Sequence, residues 1–504
     1  MSDHVLPDTL PAWLARLEAA HPAGIDLGLE RVAEVARRMG LLETALADRV
    51  IIVAGTNGKG STVAMLEALA RTHGLSTAAY TSPHLLRYNE RLRLEGNEAD
   101  DATLIAGFEA VEAARLAGEP VSLTYFEVGT LGALWAIARR GPELAILEVG
   151  LGGRLDAVNV IDPDVAVITT VAQDHAAFLG TDLQGIGREK AGILRGGRPA
   201  VLGSTTLPAS VRQVATELGA RVYALDEDFS RDGDDAGWTF RSFWGQTPAE
   251  TQDSSTCTQD TKVTPLGSDP KGVSALELRD LPDPTQQRGQ TPRARHCARM
   301  RDKHLRVTPS SDPKSVSGLP DPGLPLDNAA TALQALILAD VDLQEDACRR
   351  ALAGVQLPGR MQWLGQWCLD VGHNPHAATY LAARLAAHPC AGRTIALLGM
   401  LGDKDADGVI TALVPVVDAW VPASLAGERA RTAEDLAERL ALHGGEVWHR
   451  GDSPTAAADW LAARLAPEDR VLVCGSFFTV AEVLAWRLSA DQTAGKDTAI
   501  ERVR

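Results

Sequence analysis

The chain has 504 residues, of which 45% are hydrophobic and 23% charged, and its formal net charge is −17. This length is too great for one ordinary core and predicts two domains with some irregular sequence. The negative charge argues against general binding to nucleic acid or to a membrane surface, because both need clustered cationic side chains. The six cysteines are scattered, no charged-then-apolar leader is present, and no apolar run is long enough to span a membrane. We therefore expect a cytoplasmic protein with reduced thiols.

A strand, a glycine-rich loop and a helix are predicted in succession near the start of the chain. The apolar run at 50–53 predicts the strand, and periodic apolar residues after the loop predict the helix. Glycines let backbone N–H groups surround an anion, and Lys59 adds a full charge to that of the helix N-terminus. The spacing departs from the common P-loop, because Gly60 separates Lys59 from the hydroxyl of Ser61. We expect a nucleoside triphosphate on the loop residues Gly55, Thr56, Asn57, Gly58, Lys59, Gly60 and Ser61.

Two later apolar runs, 145–149 and 165–171, predict buried parallel strands of an α/β domain. Glu148 lies near the end of the first run, at the sheet edge where the phosphate loop also emerges. One carboxylate at this place suits Mg²⁺, which keeps water and phosphate oxygens among its ligands. The alternative is a strand-end glutamate paired with Arg154.

Three further polar residues are candidates with weaker individual signals. His175 follows the second run and Ser82 follows a third apolar segment, and each alone is typical of an ordinary loop. Lys190 lies in a predicted helical segment, 183–194, that is apolar on one side. A salt bridge is the simpler interpretation for it. The neutral amine of a lysine can also take up CO₂, which gives a carbamate with oxygen donors for a metal.

The composition changes between residues 232 and 325, where Pro, Ser, Thr, Gln, Gly and charged residues dominate. Such a composition predicts an insertion without a packed core. A short polar duplication relates 263–274 to 307–317, and a basic cluster lies between the copies at 293–306. The cluster is compatible with an acidic partner or nucleic acid, but a solvated insertion is the simpler interpretation.

Order is predicted again from Asp327, where an apolar helical stripe begins, and residues 357–360 mark a boundary. Beyond it, strands alternate with helices, which predicts a doubly wound parallel sheet with its ligand-binding edge at the carboxyl ends of the strands. The predicted strands are 367–371, 394–398, 419–422, 446–449 and 470–474, and the helices are 376–387, 409–417, 433–443, 455–465 and 480–488. Candidate ligand-binding turns follow three of these strands at 370–376, 399–405 and 475–477.

Together these motifs resemble the dihydrofolate synthase and folylpolyglutamate synthase family, a branch of the Mur-type ATP-dependent amide ligases. The resemblance covers nearly the whole chain except the insertion, where the family normally has a short connection. Its motifs, in chain order, are 21–22, 25–32, the phosphate loop, 82–84, 123–127, 148–156, 174–175, Lys190, 328–333, 358–360, Asp370, 403–405 and 474–477.

The resemblance implies a fold and a set of residue roles. The fold is an α/β P-loop NTPase-like central domain followed by a smaller Rossmann-like ligase domain, here 1–356 and 357–504. Implied catalytic residues are Lys59, Glu148, His175 and Lys190, with Mg²⁺ on Ser82, Glu148 and His175 and with Lys190 carbamylated. Implied ATP contacts outside the phosphate loop are Asn328, Arg360 and Asp370. The pterin side would be lined by Asp26, Leu27, Gly28, Leu29, Leu123, Thr124, Tyr125, Phe126, Arg154, Leu155 and Asp156.

The implied reaction is ATP-dependent addition of L-glutamate to dihydropteroate and to the glutamate tail of reduced folates, through an acyl phosphate. We expect a monomer with ATP and Mg²⁺ as cofactors and with neither nucleic acid nor membrane as a partner. One alternative is a monofunctional folylpolyglutamate synthase. A second is a peptidoglycan Mur ligase, which carries a further N-terminal domain, whereas only 54 residues precede Gly55 here. A third is a non-catalytic interaction protein that uses the basic insertion, although Lys59, Glu148, His175 and Lys190 argue against it.

Overall fold

A computed structural model describes residues 6–20, 26–234, 236–243, 314–427 and 429–501. The first copy of the polar duplication and the basic cluster at 293–306 lie outside these ranges. The strands are β1 Arg49–Ala54, β2 Thr77–Tyr80, β3 Leu92–Leu94, β4 Asn97–Glu98, β5 Leu144–Glu148, β6 Val165–Ile168, β7 Pro199–Leu202, β8 Arg221–Ala224, β9 Phe229–Asp234, β10 Gly237–Ser242, β11 Lys314–Leu319, β12 Gln362–Leu364, β13 Trp367–Leu369, β14 Thr394–Leu398, β15 Ala419–Pro422 and β16 Arg470–Cys474.

Helices precede, separate and follow the strands along the chain. They are α1 Leu10–Ala20, α2 Glu30–Arg38, α3 Lys59–Thr72, α4 Asp101–Leu116, α5 Tyr125–Arg140, α6 Ala176–Leu179, α7 Leu183–Ala191, α8 Ala209–Leu218, α9 Leu326–Leu338, α10 Glu345–Gly354, α11 Pro375–Ala387, α12 Ala406–Leu413, α13 Ala433–Leu442, α14 Pro454–Ala462 and α15 Phe477–Glu501. Short 3-10 turns lie at Tyr88–Arg91, Ala157–Val160 and Val414–Val416. In the part of the chain that the structure describes, no helix combines the length and apolarity needed to cross a bilayer.

The first sheet has eight strands in the order β4-β3-β2-β5-β1-β6-β7-β8. The six strands from β2 to β8 in that order run parallel, and β3 and β4 are antiparallel additions at one edge. Both faces are covered. Ile52 and Ala54 of the central strand join one buried apolar cluster, and Ile51 and Val53 join the other. Such two-sided burial explains why this strand has a continuous apolar sequence.

The pairing of β1 with β5 on one side and β6 on the other decides where the functional loops meet. Parallel neighbours all present their carboxyl ends to the same edge of the sheet. The loops that follow four of these strands therefore converge there. The phosphate loop follows β1, Ser82 follows β2, residues 149–156 follow β5 and residues 169–175 follow β6.

The second sheet has five strands in the order β12-β13-β16-β14-β15, of which only β12 is antiparallel. The predicted strands at 394–398, 419–422 and 470–474 are confirmed with the same bounds. The prediction of a strand at 446–449 is wrong. That segment makes a single isolated bridge, between Val447 and Trp420, at the outer edge of β15.

The prediction that residues 232–325 lack a packed core is wrong at both ends of that range. Strands β9, β10 and β11 form a three-stranded antiparallel sheet. Their inward side chains are apolar although the surrounding composition is polar: Trp238, Phe240, Val316 and Leu319 are at most 3% exposed. These side chains pack with the cluster under α3 and α9, which provides the burial that the segment could not achieve alone.

Ser242 of β10 lies directly opposite Lys314 of β11 in the antiparallel ladder, so the chain leaves and re-enters the sheet at one point. We predict that replacing residues 243–313 by the two-residue turn Asn-Gly leaves the thermal unfolding midpoint within about 3 °C of the parent, because that turn closes facing strand ends. A deletion that extends through Leu319 removes two buried side chains and should lower stability by about 3 kcal/mol or more. Calorimetry of the two deletions tests this, and equal midpoints would contradict it.

Candidate active site

One cavity of about 720 Å³ is lined by loops of both sheets. The phosphate loop forms its floor. The opposite wall consists of the turn that follows β13, residues 370–373, and of Phe477 at the start of α15. The cavity brings together all the residues that were predicted to hold nucleotide or metal or to act in catalysis: Gly55, Thr56, Asn57, Gly58, Lys59, Gly60, Ser61, Ser82, Glu148, His175, Lys190, Asn328, Arg360 and Asp370.

The phosphate loop is held by two threonines at the end of β6. Thr169 donates from Oγ1 to the carbonyl of Asn57 at 2.7 Å. Thr170 accepts from the Asn57 N–H and donates to its carbonyl, both at 3.0 Å. A Cβ at Gly55 would lie 1.9 Å from the Thr169 hydroxyl, so only glycine permits this approach. The first half of the loop is therefore held against the segment that follows β6, through the N–H and carbonyl groups of Asn57.

Helix α9 reaches the loop through Asn328. Its side-chain Nδ2 donates to Ser61 Oγ at 2.8 Å, and Ser61 Oγ donates to the carbonyl of Gly58 at 3.0 Å. Gly58 precedes α3 with a positive φ of +86°, and a Cβ there would lie 2.7 Å from Asn328 Nδ2. The start of α3 and the amide of Asn328 thus form one close-packed unit beneath the loop.

Opposite charges face each other across the cavity floor. Lys59 donates from Nζ to the carbonyls of Gly55 and Thr56 at 3.0 and 3.2 Å. Burial lowers the pKa of Lys59, while the carboxylates of Glu148 and Asp174 oppose that shift. Burial likewise raises the pKa of Glu148, and Lys59 opposes it. The two side chains stabilise each other's charged form at a place where water is largely excluded.

Glu148, Ser82 and His175 supply a carboxylate, a hydroxyl and an imidazole to the same wall. The Ser82 N–H donates to Glu148 Oε2 at 3.2 Å, which fixes the carboxylate against that loop. The side chain of His175 is 41% exposed, yet desolvation by the cavity walls lowers the pKa of its imidazole, which favours the neutral form that a metal ligand needs. No group of three or more His, Cys, Asp or Glu side chains within the described ranges could hold a metal by itself. This donor set fits a hard cation that shares its coordination with phosphate and water.

Lys190 and Asp156 are the other perturbed groups of this region. Lys190 of α7 is 3% exposed, and burial together with the nearby Lys59 charge lowers its pKa to about 7. Asp156 is also buried, which raises its pKa to about 6, although backbone N–H groups of Leu151 and Val158 donate to it. The simpler interpretation of Lys190 as one partner of a salt bridge is not supported, because no ion pair to Lys190 is found among the described side chains. The same is true of Asp156. Arg154 instead pairs with Glu189 at 2.8 Å, so the alternative Glu148–Arg154 pair is not formed.

Two predicted residues come from the second sheet. Asp370 follows β13 and accepts the N–H groups of Met361 and Gly372 at 2.9 and 2.7 Å. Arg360 stacks its guanidinium 5.1 Å from the ring centre of Phe477, and it faces the carboxylates of Asp370 and Glu148. Arg360 and Asp370 thus bring a cation and a carboxylate of the second domain to the cavity, and Arg384 of that domain also lines it.

The segments predicted for the pterin side lie beside the cavity and not in its lining. Arg31 joins two of them by pairing with Asp26 and with Glu127, each at 2.8 Å. Glu127 also accepts the Thr124 N–H at 2.7 Å in a capping box at the start of α5. Phe126 packs against Gly150, where a Cβ would meet its ring at 2.5 Å. Their role in binding stays a prediction.

The contacts that join the two domains were not predicted from the sequence. Asp174 accepts from Lys404 and from His373, and Asn57 pairs with Asn374. Each of these residues lies in a turn at a strand end, which was the available signal, but no local pattern shows which turns face each other.

The comparisons with known proteins agree with this architecture. Residues 53–207 match the family described as Mur ligase middle domain, and residues 359–477 match the one described as Mur ligase, glutamate ligase domain. The fold and the site thus define an enzyme of the Mur ligase class.

Similar sequences identify the family within this class. A dihydrofolate synthase/folylpolyglutamate synthase of Escherichia coli K12 is 39% identical over 490 residues, which cover 97% of each chain. One of Haemophilus influenzae is 34% identical and covers 94% of this chain and 97% of its own. The chain belongs to the dihydrofolate synthase/folylpolyglutamate synthase family.

Solved structures give the same result. E. coli FolC in complex with DHPP and ADP superimposes with a TM-score of 0.78 at 38% identity, covering 96% of this chain and 98% of that one. The bifunctional Yersinia pestis enzyme complexed with AMPPNP and Mn ion gives a TM-score of 0.75 at 39% identity, covering 95% and 97%.

Gly58 and Gly74 provide a matched test of the packing under the phosphate loop. Both have a positive φ, +86° and +84°, but a Cβ at Gly74 meets nothing within 4 Å. We predict that Gly74→Ala lowers the free energy of unfolding by about 1 kcal/mol through backbone strain alone. Gly58→Ala should cost about 1–3 kcal/mol more, because it also displaces Asn328. Urea unfolding measures both, and equal losses would show that Asn328 does not pack as described.

Proposed function

We propose that this protein uses ATP to attach L-glutamate to dihydropteroate and to the glutamate tail of reduced folates. The observation that carries the proposal is the shared cavity, in which a phosphate loop with Lys59 faces the ligase domain. The E. coli relative binds DHPP and ADP, and another related structure, with a TM-score of 0.74, has Mn, AMPPNP and L-glutamate bound. These are the acid, the nucleotide and the amine that such a reaction needs.

The chemistry follows from the weakness of a carboxylate as an electrophile. Its negative charge repels an amine, so the acid must first be activated. The substrate carboxylate attacks the γ-phosphorus of ATP, and Lys59 with the N–H groups of the loop stabilises the charge on the transferring phosphoryl group. The α-amino group of L-glutamate then attacks the acyl phosphate and displaces phosphate, which leaves the amide and ADP. Docking of the second domain over the loop excludes water that would hydrolyse the intermediate.

The metal requirement follows from the same wall of the cavity. We assign Mg²⁺ to Ser82, Glu148 and His175, whose donor atoms fit it, and ATP contacts to Asn328, Arg360 and Asp370. Bound there, Mg²⁺ would neutralise phosphate charge and orient the oxygens. Lys190 is assigned as the carbamylated lysine, supported by its burial and by the lowered pKa of its amine.

The acid substrate is assigned to the segments 26–29, 123–126 and 154–156. Arg31 links Asp26 to Glu127 at the start of α5, and Phe126 packs against Gly150 of the cavity wall. We further propose that the chain divides into an ATP-binding domain, 1–356, and a glutamate-ligase domain, 357–504. The bounds of the two family matches and the start of the second sheet at Gln362 support that division. A cytoplasmic location is proposed as well, in accord with a reaction that consumes ATP.

An ADP-release assay tests the proposed reaction. Purified protein with ATP and L-glutamate should release ADP with dihydropteroate and, in a separate reaction, with tetrahydrofolate. Activity with tetrahydrofolate alone would identify the monofunctional alternative. Lys59→Ala should lower the rate by about 10³-fold or more, because the phosphoryl charge loses its cation, while the unfolding midpoint changes little. Lys314→Ala, which removes a surface ion pair with Asp342, is the control. Near-normal turnover by Lys59→Ala would contradict the mechanism.

Carbamylation of Lys190 should depend on pH, since only the neutral amine reacts with CO₂. Burial lowers the pKa of Lys190 to about 7, so the neutral fraction rises between pH 6 and pH 8, where an exposed lysine stays protonated. At a fixed pressure of ¹³CO₂ we predict a ¹³C NMR carbamate signal that increases over this range. The Lys190→Arg variant should lack the signal. Identical spectra of the two proteins at pH 8 would contradict the assignment.

A further inference from the structure

We propose that Asp174 and Asn57 are positioning residues that dock the ligase domain over the phosphate loop. In this role both act through side chains of the ligase domain. The meaning of the docking for catalysis rests on the proposed function, but the docking itself rests only on contacts between the domains.

The first contact is a buried ion cluster. Asp174 Oδ1 accepts from Lys404 Nζ at 2.5 Å, and Oδ2 accepts from His373 Nε2 at 3.1 Å. The side chains of Asp174 and Lys404 are both 9% exposed. His373 Nδ1 lies 3.0 Å from the carbonyl oxygen of Val371, which holds the ring in place. The ammonium of Lys404 and the imidazole of His373 thus converge on one carboxylate of the ATP-binding domain, and the charge-assisted hydrogen bond from Lys404 is of the strong kind.

The second contact is a reciprocal pair of amides. Asn57 Nδ2 donates to Asn374 Oδ1 at 3.1 Å, and Asn374 Nδ2 donates to Asn57 Oδ1 at 3.0 Å. Asn374 is the N-cap of α11, and its Oδ1 also accepts the N–H of Ala377 at 2.9 Å. Because the cap requires Oδ1 to face the helix, the orientation of this amide and hence of the pair is determined.

Both contacts start from the loops that carry the proposed chemistry. Asn57 lies in the phosphate loop beside Gly58 and Lys59, and Asp174 directly precedes His175. When the phosphate loop is ordered around a bound phosphate, Asn57 is therefore also held where it contacts the ligase domain. Loss of docking should leave the acyl phosphate open to water and weaken the capture of L-glutamate, so ADP would form without amide.

The test compares Asp174→Asn with a matched control, Asp469→Asn. Asp469 is a carboxylate with 2% exposure, paired with Arg393 at 2.8 Å inside the ligase domain and outside the cavity lining. For Asp174→Asn we expect a KM for L-glutamate raised 10-fold or more and fewer than half as many amides per ADP as the parent. For Asp469→Asn we expect a lower midpoint with KM and amide yield as in the parent. Unchanged KM and amide yield in Asp174→Asn would overturn the proposal.

A double-variant cycle separates docking from direct substrate binding by Lys404. If Lys404 acts through Asp174, Lys404→Met should show the same defect, and Asp174→Asn/Lys404→Met should be no worse than either single variant. Defects that multiply would mean that Lys404 acts independently of Asp174, and the proposal would fail.

Small-angle X-ray scattering with AMPPNP and Mg²⁺ measures the docking without turnover. We expect a larger radius of gyration for Asp174→Asn than for the parent and for Asp469→Asn. Equal radii would overturn the proposal. Failure of the parent to release ADP with L-glutamate would instead overturn the proposed function, while the scattering result still decides whether Asp174 docks the domains.

Discussion

The parallel pairing of β5, β1 and β6 is the constraint on which the site depends. Because the three strands run in one direction, the loops after them meet at one edge, and each brings a different chemical group. The loop after β1 offers N–H donors and Lys59, the end of β5 offers Glu148, and the loop after β6 offers hydroxyls, Asp174 and His175. No single segment of the chain has this combination.

Electrostatics within the cavity depend on burial as much as on charge. Lys59 and Glu148 shift in opposite directions for the same reason, since loss of water disfavours either charged form. Lys190 lines the cavity and Asp156 lies beside it, and burial brings their pKa values to about 7 and about 6. A site that binds a polyanion thus keeps its own charges close to balance. That balance also explains how a chain of net charge −17 can provide a local site for phosphate.

The insertion shows how a fold accepts a long addition. The chain leaves β10 at Ser242 and returns to β11 at Lys314, and these two residues face each other in the antiparallel ladder. The pairing of β10 with β11 therefore does not depend on residues 243–313. Loop length costs little entropy once the ends are held together. The same sheet contributes Arg231 and Gly233 to the cavity lining, which places the junction on an element that also shapes the site.

Several features of this protein were determined by local sequence. Strands such as 394–398 and 470–474 and the phosphate loop were predictable, because apolar runs, glycines and helix periodicity act through near neighbours. The resemblance of ordered motifs to a known family then supplied the activity. Strand β11 was missed because its buried side chains, Val316 and Leu319, are diluted by polar neighbours and become a strand only against β10.

Tertiary structure alone decided the rest. The segment at 446–449 has strand-like composition, yet within it only Val447 bridges β15, at Trp420, and the next bridge lies beyond it at Gly451. Thr169 and Thr170 look like the end of a strand in the sequence, yet they hold the phosphate loop. Asp174 and Lys404 are 230 residues apart and meet only when two domains pack together. Contacts of this kind depend on which loops face each other, and that is set by strand order and domain packing, for which a linear sequence carries no local signal.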